Sequence, residues 1–229
     1  KESFLKSAIK KYFDRKFCKS ADYIITVNEF CKKLIQTDKE IEVIDNGFDE
    51  RVIKTYPEQK NREDFLITHA GSLYNDRDPR IFLELLNQDS NRIKFEQYGN
   101  DTPFFDAYRK SSFFNYKGKF PYNELIEQLN NADACVLFTL GKAFESTTKV
   151  FDYIALNKRI LIITEGEPKT GNLNEITKDY PNVVWAKNNE NAIREAIGII
   201  REIEVRPFDS SIYSRKNSLN HLVKLLKSI

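Results

Sequence analysis

The chain has 229 residues, and its 36 Lys plus Arg against 34 Asp plus Glu leave a formal net charge of only +2. That length is enough for one large domain with appendages and a sizeable core. The charge balance lacks the strongly basic surface that nucleic-acid binding needs, so we expect no nucleic-acid partner. No apolar run approaches the ~20 residues of a membrane helix, and the composition is that of a cytoplasmic protein.

The first part of the chain predicts two short strands between helices. Lys1 to Lys19 carries apolar residues at helical spacing among Lys and Arg, which predicts an amphipathic helix. We expect its apolar face to pack on a neighbouring domain or on its own core, although the basic face leaves peripheral membrane contact open. Further predicted elements follow in order: strand Ala21 to Val27, helix cap Asn28, helix Glu29 to Gln36, strand Ile41 to Ile44 and turn Asp45 to Gly47.

From Phe65 onward, strands and helices alternate, which is typical of a doubly wound, Rossmann-like α/β domain with a parallel sheet. Six strands are predicted: Phe65 to His69, Ile93 to Tyr98, Phe113 to Tyr116, Ala134 to Phe138, Arg159 to Ile163 and Asn182 to Trp185. The predicted helices are Pro79 to Gln88, Asp101 to Lys110, Tyr122 to Asn130, one from Thr147 or Thr148 to Asn157, one ending at Asp179, Glu190 to Ile203, and the terminal Ile212 to Ile229.

The stretch from Ala134 to Thr164 combines two buried strands with a polar loop and one helix. The start of that helix faces the carboxyl ends of the strands, where open α/β sheets bind ligands. The loop carries Glu145, and Thr147 and Thr148 are candidate caps. By spacing alone, Lys149 and Asp152 predict an ordinary surface ion pair.

A second candidate site follows the first strand of the sheet. Gly71 and Ser72 allow a sharp turn with exposed backbone N–H groups, which can hold an anion. Arg77 in the same loop could clamp a phosphate with two hydrogen bonds. The pattern matches neither the GxGxxG fingerprint nor a P-loop, so alone it is a weak signal.

An ordered series of segments from Ala21 to the C-terminus resembles the C-terminal half of retaining GT-B glycosyltransferases of the "group 1" family, glycosyltransferase family 4. ADYIITVNEF and IEVIDNGFD resemble the segment that leaves the acceptor domain and ends in the family's "nGvD" turn. HAGSLYNDRDP resembles its first Gly loop. FEQYGN and NYKGKFPYNELIEQLNNADACVLF resemble its base-binding region, and STTKVFDYIALNKRILII resembles its "KxxEYxAxgkPvl" segment.

The resemblance implies a role for each candidate residue. In this resemblance, Gly71, Ser72 and Arg77 would bind the donor diphosphate, and Thr147, Thr148 and Lys149 would bind its second phosphate. The backbone of Gly118, Lys119 and Phe120 would contact the base. Asp152 takes the place of the carboxylate that bonds the ribose hydroxyls, and Glu145 is the nearest candidate for the carboxylate that contacts the donor sugar.

This chain departs from the family pattern in three places. The family has two Glu eight positions apart, whereas Glu145 and Asp152 are seven apart and the second is Asp. The usual Gly-Lys-Pro is replaced by Asn157 to Arg159, and the usual Lys of the first loop is not evident. An Asp keeps two acceptor oxygens, so a ribose contact stays feasible.

The resemblance also implies three regions: a tail of an N-terminal acceptor domain over residues 1–60, a nucleotide-sugar-binding domain over 61–211, and a crossover helix over 212–229. It implies retaining transfer of a sugar from a nucleoside-diphosphate sugar, without a cofactor or metal, by a cytoplasmic enzyme that could touch the membrane's inner face. The partner would be the missing acceptor domain, without which the fragment would be inactive. Polysaccharide biosynthesis is a family-level expectation.

Two other classes of function remain open from the sequence. One is a GT-B-like sugar-nucleotide epimerase, which would need carboxylates and a His around the donor sugar. The other is a non-catalytic nucleotide- or protein-binding domain, which is favoured if Gly71, Arg77, Lys149 and Asp152 are scattered. Of the two histidines, His69 could line the donor cleft, but a structural role is expected for both.

Overall fold

The computed structural model describes residues 4–53, 63–74, 77–88 and 92–227, and these contain eight strands. They are β1 Ile24–Thr26, β2 Ile41–Val43, β3 Phe65–Ala70, β4 Ile93–Tyr98, β5 Phe114–Gly118, β6 Ala134–Thr139, β7 Arg159–Thr164 and β8 Val183–Lys187. Strands β3 to β8 form one parallel sheet in the order β5-β4-β3-β6-β7-β8. The order reverses direction between β3 and β6, so the predicted doubly wound, six-stranded sheet is confirmed.

Eight α-helices and two short 3₁₀ helices lie within the described residues. The α-helices are α1 Phe4–Ser20, α2 Glu29–Lys32, α3 Arg80–Gln88, α4 Tyr122–Asn131, α5 Lys149–Ala155, α6 Gly171–Thr177, α7 Glu190–Glu202 and α8 Arg215–Lys227. The 3₁₀ helices are Pro103–Phe105 and Ser210–Tyr213. No helix among the described residues is long and apolar enough to span a bilayer.

The core has two halves, one on each face of the sheet. Helices α3 and α7 pack on one face, and α4, α5 and α6 pack on the other. Strand β6 supplies both halves, because Val136 and Phe138 belong to the first and Cys135 and Leu137 to the second. All six residues of β6 are buried, as expected for a central strand that is covered on both faces. Burial raises the pKa of Cys135 to about 12, which keeps this thiol protonated.

The predicted helix from Asp101 to Lys110 is wrong, since the chain there forms only the 3₁₀ helix and further turns. Its backbone bonds run between residues three apart, from Phe105 N–H to Thr102 and from Tyr108 N–H to Phe105. Phe105 is fully buried with its ring centroid 5.0 Å from that of Phe114. Aromatic packing against the edge strand therefore overrides the helical pattern.

Other differences concern where elements end. The strand predicted over Ala21 to Val27 is only three residues long, and the helix predicted to reach Gln36 ends at Lys32. Asn28 does cap that helix, because its side chain accepts a hydrogen bond from Cys31 N–H at 2.7 Å. Helix α5 ends at Ala155 because Asn157 adopts the left-handed conformation, with φ +51°.

The turn after β2 contacts the segment that precedes α8. Strands β1 and β2 form a separate parallel pair, and the segment before α8 returns to the turn that follows β2. Phe48 N–H donates to the carbonyl of Tyr213 at 3.1 Å, and Arg215 N–H donates to that of Phe48 at 2.9 Å. Gly47 fits there because a Cβ would lie 2.3 Å from the carbonyl oxygen of Tyr213.

Helix α1 exposes four apolar side chains, namely Ile9, Tyr12, Phe13 and Phe17, whereas Cys18 near its end is buried. None of these residues belongs to either half of the core, and packing on another domain stays a prediction. The helix ends predicted at Lys1 and Ile229 lie outside the described residues, as does the domain boundary at 60/61. The division into three regions likewise stays a prediction.

Candidate functional site

Three glycines line the carboxyl edge of the sheet, one at the end of each of β3, β4 and β5. Gly71, Gly99 and Gly118 all have positive φ, at +145°, +136° and +78°. Gly71 N–H donates to the carbonyl of Tyr98 at 2.7 Å, and Gly99 N–H donates to that of Gly118 at 2.8 Å. A Cβ on Gly99 would lie 2.2 Å from the carbonyl oxygen of Gly71. Only glycines allow this close approach of backbones, and they leave an edge formed by main-chain atoms.

The first turn of α5 meets this edge at Gly71. A Cβ on Gly71 would lie 2.8 Å from Lys149 Cε and 3.1 Å from its Nζ, so the ammonium lies against the bare glycine. Thr148 is the N-cap residue and is exposed, and its hydroxyl makes no capping hydrogen bond. The half-buried Thr147 precedes it. The structure thus brings together Gly71, Thr147, Thr148 and Lys149, which the sequence places in two distant loops.

Lys149 does not form the expected surface ion pair with Asp152. Within the described part of the chain, no carboxylate lies within salt-bridge distance of its ammonium. Burial lowers the pKa of Lys149, and the nearby positive charge of Arg77 lowers it further, against an opposing effect of Asp152. A partly buried ammonium beside exposed backbone favours an anion as its missing counterion.

Asp152 is only 8% exposed, and its partner is a tyrosine of another helix. The hydroxyl of Tyr122, the first residue of α4, donates to Asp152 Oδ1 at 2.6 Å. Burial raises the pKa of Asp152, whereas the Tyr122 hydrogen bond and the charges of Arg215 and Lys149 lower it. In the sequence, Tyr122 is only the first residue of a predicted helix, and the fold brings it to Asp152.

The two candidate loop residues Arg77 and Glu145 contact each other. Arg77 Nη2 donates to Glu145 Oε1 at 2.8 Å, and Glu145 Oε2 accepts from Leu140 N–H at 2.9 Å. The neighbouring carbonyl of Phe144 accepts a hydrogen bond from the Asn28 side chain at 3.3 Å. The loop after β6 is therefore held from both sides, and both Glu145 oxygens already have partners.

The remaining candidates lie around the same edge. Ser72 follows Gly71 and is half-buried, and Lys119 is exposed. Phe120 packs edge-to-face on Tyr98, with ring centroids 5.3 Å apart. A Cβ on Gly118 would meet no atom within 4 Å, so the backbone there borders open space.

A buried polar pair supports the Gly71 turn from below. The Gln97 amide donates to the carbonyls of Gly71 at 2.8 Å and Tyr98 at 2.9 Å. Its oxygen must then accept from His69 Nδ1, 2.8 Å away, which leaves Nε2 as the unprotonated nitrogen. Burial lowers the pKa of His69 to about 4, so the imidazole is neutral near pH 7. Gln97 takes a buried position in the alternation of Ile93, Phe95 and Gln97 along β4, and a polar residue there is the sequence signal for this pair.

The assembled site can bind an anion next to a hydroxyl-bearing group. One side offers the start of α5 and an ammonium, which favour negative charge. The expected exposed N–H of Gly71 is not available, because it donates to the carbonyl of Tyr98. The other side offers the carboxylate of Asp152 and the hydroxyl of Tyr122, which can bind hydroxyl groups. Among the described residues, no cluster of His, Cys, Asp and Glu could hold a metal ion.

No protein-family model matches the sequence, and no similar curated protein was found. The fold, in contrast, is similar to many solved structures. A glycosyltransferase from Rickettsia africae matches with a TM-score of 0.72 at 14% identity, over 96% of this chain and 66% of that one. The Anabaena protein HepE in complex with UDP-glucose matches with a TM-score of 0.68 at 15% identity, over 91% of this chain and 64% of that one.

A third similar structure is the UDP-GlcNAc 2-epimerase of Methanocaldococcus jannaschii, in complex with UDP-GlcNAc and UDP. It matches with a TM-score of 0.59 at 11% identity, over 91% of this chain and 62% of that one. This chain spans less than two thirds of the length of these three structures. Such identities establish the fold alone, and this fold is one half of the GT-B fold.

Proposed function

We propose that this chain is the donor-binding domain of a retaining glycosyltransferase that uses a nucleoside-diphosphate sugar. The observation that carries the proposal is the contact between the Lys149 ammonium and Gly71, at the carboxyl edge of the sheet. Open α/β sheets bind ligands at this edge. The diphosphate would lie between the backbone of Gly71 and Ser72 and the start of α5, with Thr147, Thr148 and Lys149 on its second phosphate.

The same groups would assist departure of the nucleoside diphosphate. As the bond between the anomeric carbon and the phosphate oxygen breaks, negative charge grows on the diphosphate. Lys149 and the positive end of the α5 dipole would stabilise this charge without having to reorganise. Arg77 could add a second cation if its hydrogen bond to Glu145 opened towards the ligand.

The remaining candidate residues fit the other parts of the donor. The backbone of Gly118, Lys119 and Phe120 would contact the base, and Asp152 would contact the ribose. Glu145 would lie near the sugar, held by Arg77 and Leu140 N–H. The family resemblance adds further expectations. The donor would carry a hexosyl group, and the acceptor domain would be supplied elsewhere. The enzyme would act in the cytoplasm in polysaccharide biosynthesis, with peripheral membrane contact.

Calorimetric titration of the 229-residue chain with UDP, GDP and ADP tests the proposal. We expect one of the three to bind, and Lys149→Ala to weaken that binding by about tenfold or more, because it removes the cation next to the diphosphate. Lys142→Ala is the matched control, since this exposed lysine lies in the loop before α5. The proposal fails if none of the three binds, or if the two variants behave alike.

The epimerase alternative shares the donor site and differs in the chemistry. It would need acid–base groups at the sugar, whereas both Glu145 oxygens have partners and His69 is buried. The non-catalytic alternative was expected if the candidate residues were scattered. They are not, because Lys149 contacts Gly71, and the charges of Arg77 and Asp152 both affect the pKa of Lys149. Incubation of the chain with UDP-GlcNAc, followed by NMR of the sugar, would reveal an epimer if the alternative were correct.

A further inference from the structure

Tyr122 joins two elements that the proposed function assigns to different parts of one ligand. It begins α4 directly after the loop Gly118 to Phe120, which is proposed to contact the base. Its hydroxyl donates to Asp152, in the first turn of α5, which is proposed to hold the phosphates. In any nucleoside diphosphate the ribose lies between the base and the diphosphate. The Tyr122–Asp152 pair therefore stands where the ribose has to lie.

The burial of the two side chains differs in a way that matters for access. Tyr122 is 39% exposed, whereas Asp152 is 8% exposed. The part of this pair that solvent reaches therefore belongs mainly to the tyrosine. Asp152 is also one methylene shorter than the Glu usual in the family it resembles, so its reach is smaller. The Tyr122 hydroxyl, which is hydrogen-bonded to Asp152, extends the polar surface beyond the reach of the carboxylate.

We infer that Tyr122 and Asp152 bind the ribose hydroxyls together, with the tyrosine hydroxyl contacting the ligand directly. This inference rests on the proposed function and assigns a ligand contact to a residue that lies outside α5 and the loop before it. The chemical feature that it recognises is the 2′,3′-diol of a nucleoside diphosphate.

The donor and acceptor pattern of the pair suits a diol. The Tyr122 proton goes to Asp152 Oδ1, and the backbone N–H of Asp49 donates to the phenolic oxygen, which leaves one lone pair for a ligand. Asp152 Oδ2 accepts no hydrogen bond from any residue that the structure describes. One ribose hydroxyl can donate to Tyr122 Oη and the other to Asp152 Oδ2. Burial and the Asp152 carboxylate raise the pKa of Tyr122, so it stays protonated and keeps donating.

The test compares two ligands on two proteins. Calorimetry measures the affinity of the wild-type chain and of Tyr122→Phe for the nucleoside diphosphate that binds best, and for its 2′,3′-dideoxy analogue. We expect the wild type to prefer the natural ligand by about tenfold or more, and Tyr122→Phe to lose most of that preference. Affinity for the dideoxy analogue should change less than about twofold, because the lost contact has no partner there.

Two further variants separate ligand contact from damage to the fold. Asp152→Asn should also reduce the preference for the natural ligand, since the amide offers one acceptor instead of two carboxylate oxygens. Tyr213→Phe is the matched control: this half-buried tyrosine donates to the carbonyl of Ile176 at 2.8 Å. It should leave the preference at the wild-type value.

Each result decides between the two proposals. Suppose that the wild type binds the natural ligand, and that Tyr122→Phe either lowers the affinity for both ligands equally or leaves both affinities unchanged. This inference is then overturned, whereas the proposed donor site stands. The same holds if the wild type binds both ligands equally well. If the wild type binds none of UDP, GDP and ADP, the proposed function fails, and this inference fails with it.

Discussion

Arg77 and Glu145 join the loop after β3 to the loop after β6 through a hydrogen-bonded ion pair of 2.8 Å. Their side chains are 31% and 10% exposed, so solvent screens this pair less than most surface pairs. The pair links two segments 68 residues apart in the chain. It therefore fixes the spacing of the two loops that form the mouth of the candidate site.

A double-mutant cycle should show that this pair is stabilising. Arg77→Ala, Glu145→Ala and the double variant should give an interaction energy of about 1 kcal/mol in urea unfolding. The exposed pair Arg194 and Glu190 in α7, also 2.8 Å long, is the matched control and should give at most about 0.5 kcal/mol. Equal interaction energies for the two pairs would contradict the assignment of Arg77–Glu145 as a link between loops.

Gly71→Ala should affect both stability and binding. At φ +145° an alanine is strained, which should cost about 1–3 kcal/mol of unfolding free energy. The added methyl group would also displace the Lys149 side chain and weaken nucleotide binding by about fivefold or more. Gly198→Ala in α7 is the control, because its Cβ would meet nothing within 4 Å. It should leave binding unchanged and stability equal or higher. If Gly71→Ala bound the nucleotide as tightly as the wild type, Lys149 would not contact the ligand.

The sequence predicts the sheet well because each central strand is a short apolar run between breakers. Strand β6 is predicted over Ala134 to Phe138 and observed over Ala134–Thr139. Elements at the sheet's edge are predicted less well, since packing decides them. The aromatic cluster around Phe105, which replaces a predicted helix by turns, is the clearest case.

The candidate site divides in the same way. A glycine directly after a predicted strand can be recognised in the sequence. Gly71 and Gly118 could therefore be predicted as site residues, and Gly99 stands at an equivalent position. The contacts of the site side chains cannot be predicted from the sequence, because the spacing within one helix suggests a pair between Lys149 and Asp152. The fold instead places Lys149 on Gly71 and gives Asp152 to Tyr122, thirty residues away. Such contacts depend on the crossovers that bring strand ends together.

His69 should make the stability of the domain depend on pH. Its pKa is about 4 in the folded chain against ~6.5 when unfolded. Between these values only the unfolded chain binds the proton, so stability should rise with pH up to about 6.5 and then level off. On falling to pH 4, the loss from this group should be on the order of 3 kcal/mol.

Two variants isolate this contribution in urea unfolding at several pH values. His69→Gln should be less stable near pH 7, yet its difference from the wild type should shrink as the pH falls from about 6.5 to about 4. Thr68→Val, at the buried neighbouring residue of β3, changes no titratable group and should follow the wild-type pH profile. A constant difference between the wild type and His69→Gln would show that the pKa of His69 is the same in the folded and the unfolded chain.

Lys149 should make nucleotide binding depend on pH in the alkaline range. Because burial and Arg77 lower its pKa from the usual 10.5, its ammonium loses the proton earlier than an exposed lysine. Bound diphosphate stabilises the charged form, so affinity should be full near pH 7 and fall as the pH rises through the lowered pKa. We expect calorimetry between pH 7 and 10 to record this fall for the wild type.

The Lys149→Arg variant tests the origin of that fall, because a guanidinium keeps its charge throughout this range. It should therefore bind with an affinity that is nearly constant from pH 7 to 10, and Lys149→Ala should bind weakly at every pH. Lys142→Arg, in the exposed part of the preceding loop, should retain the wild-type fall. If Lys149→Arg weakened with pH as the wild type does, another group would carry the titration. If Lys149→Ala bound as tightly as the wild type at pH 7, Lys149 would not be the cation that meets the diphosphate.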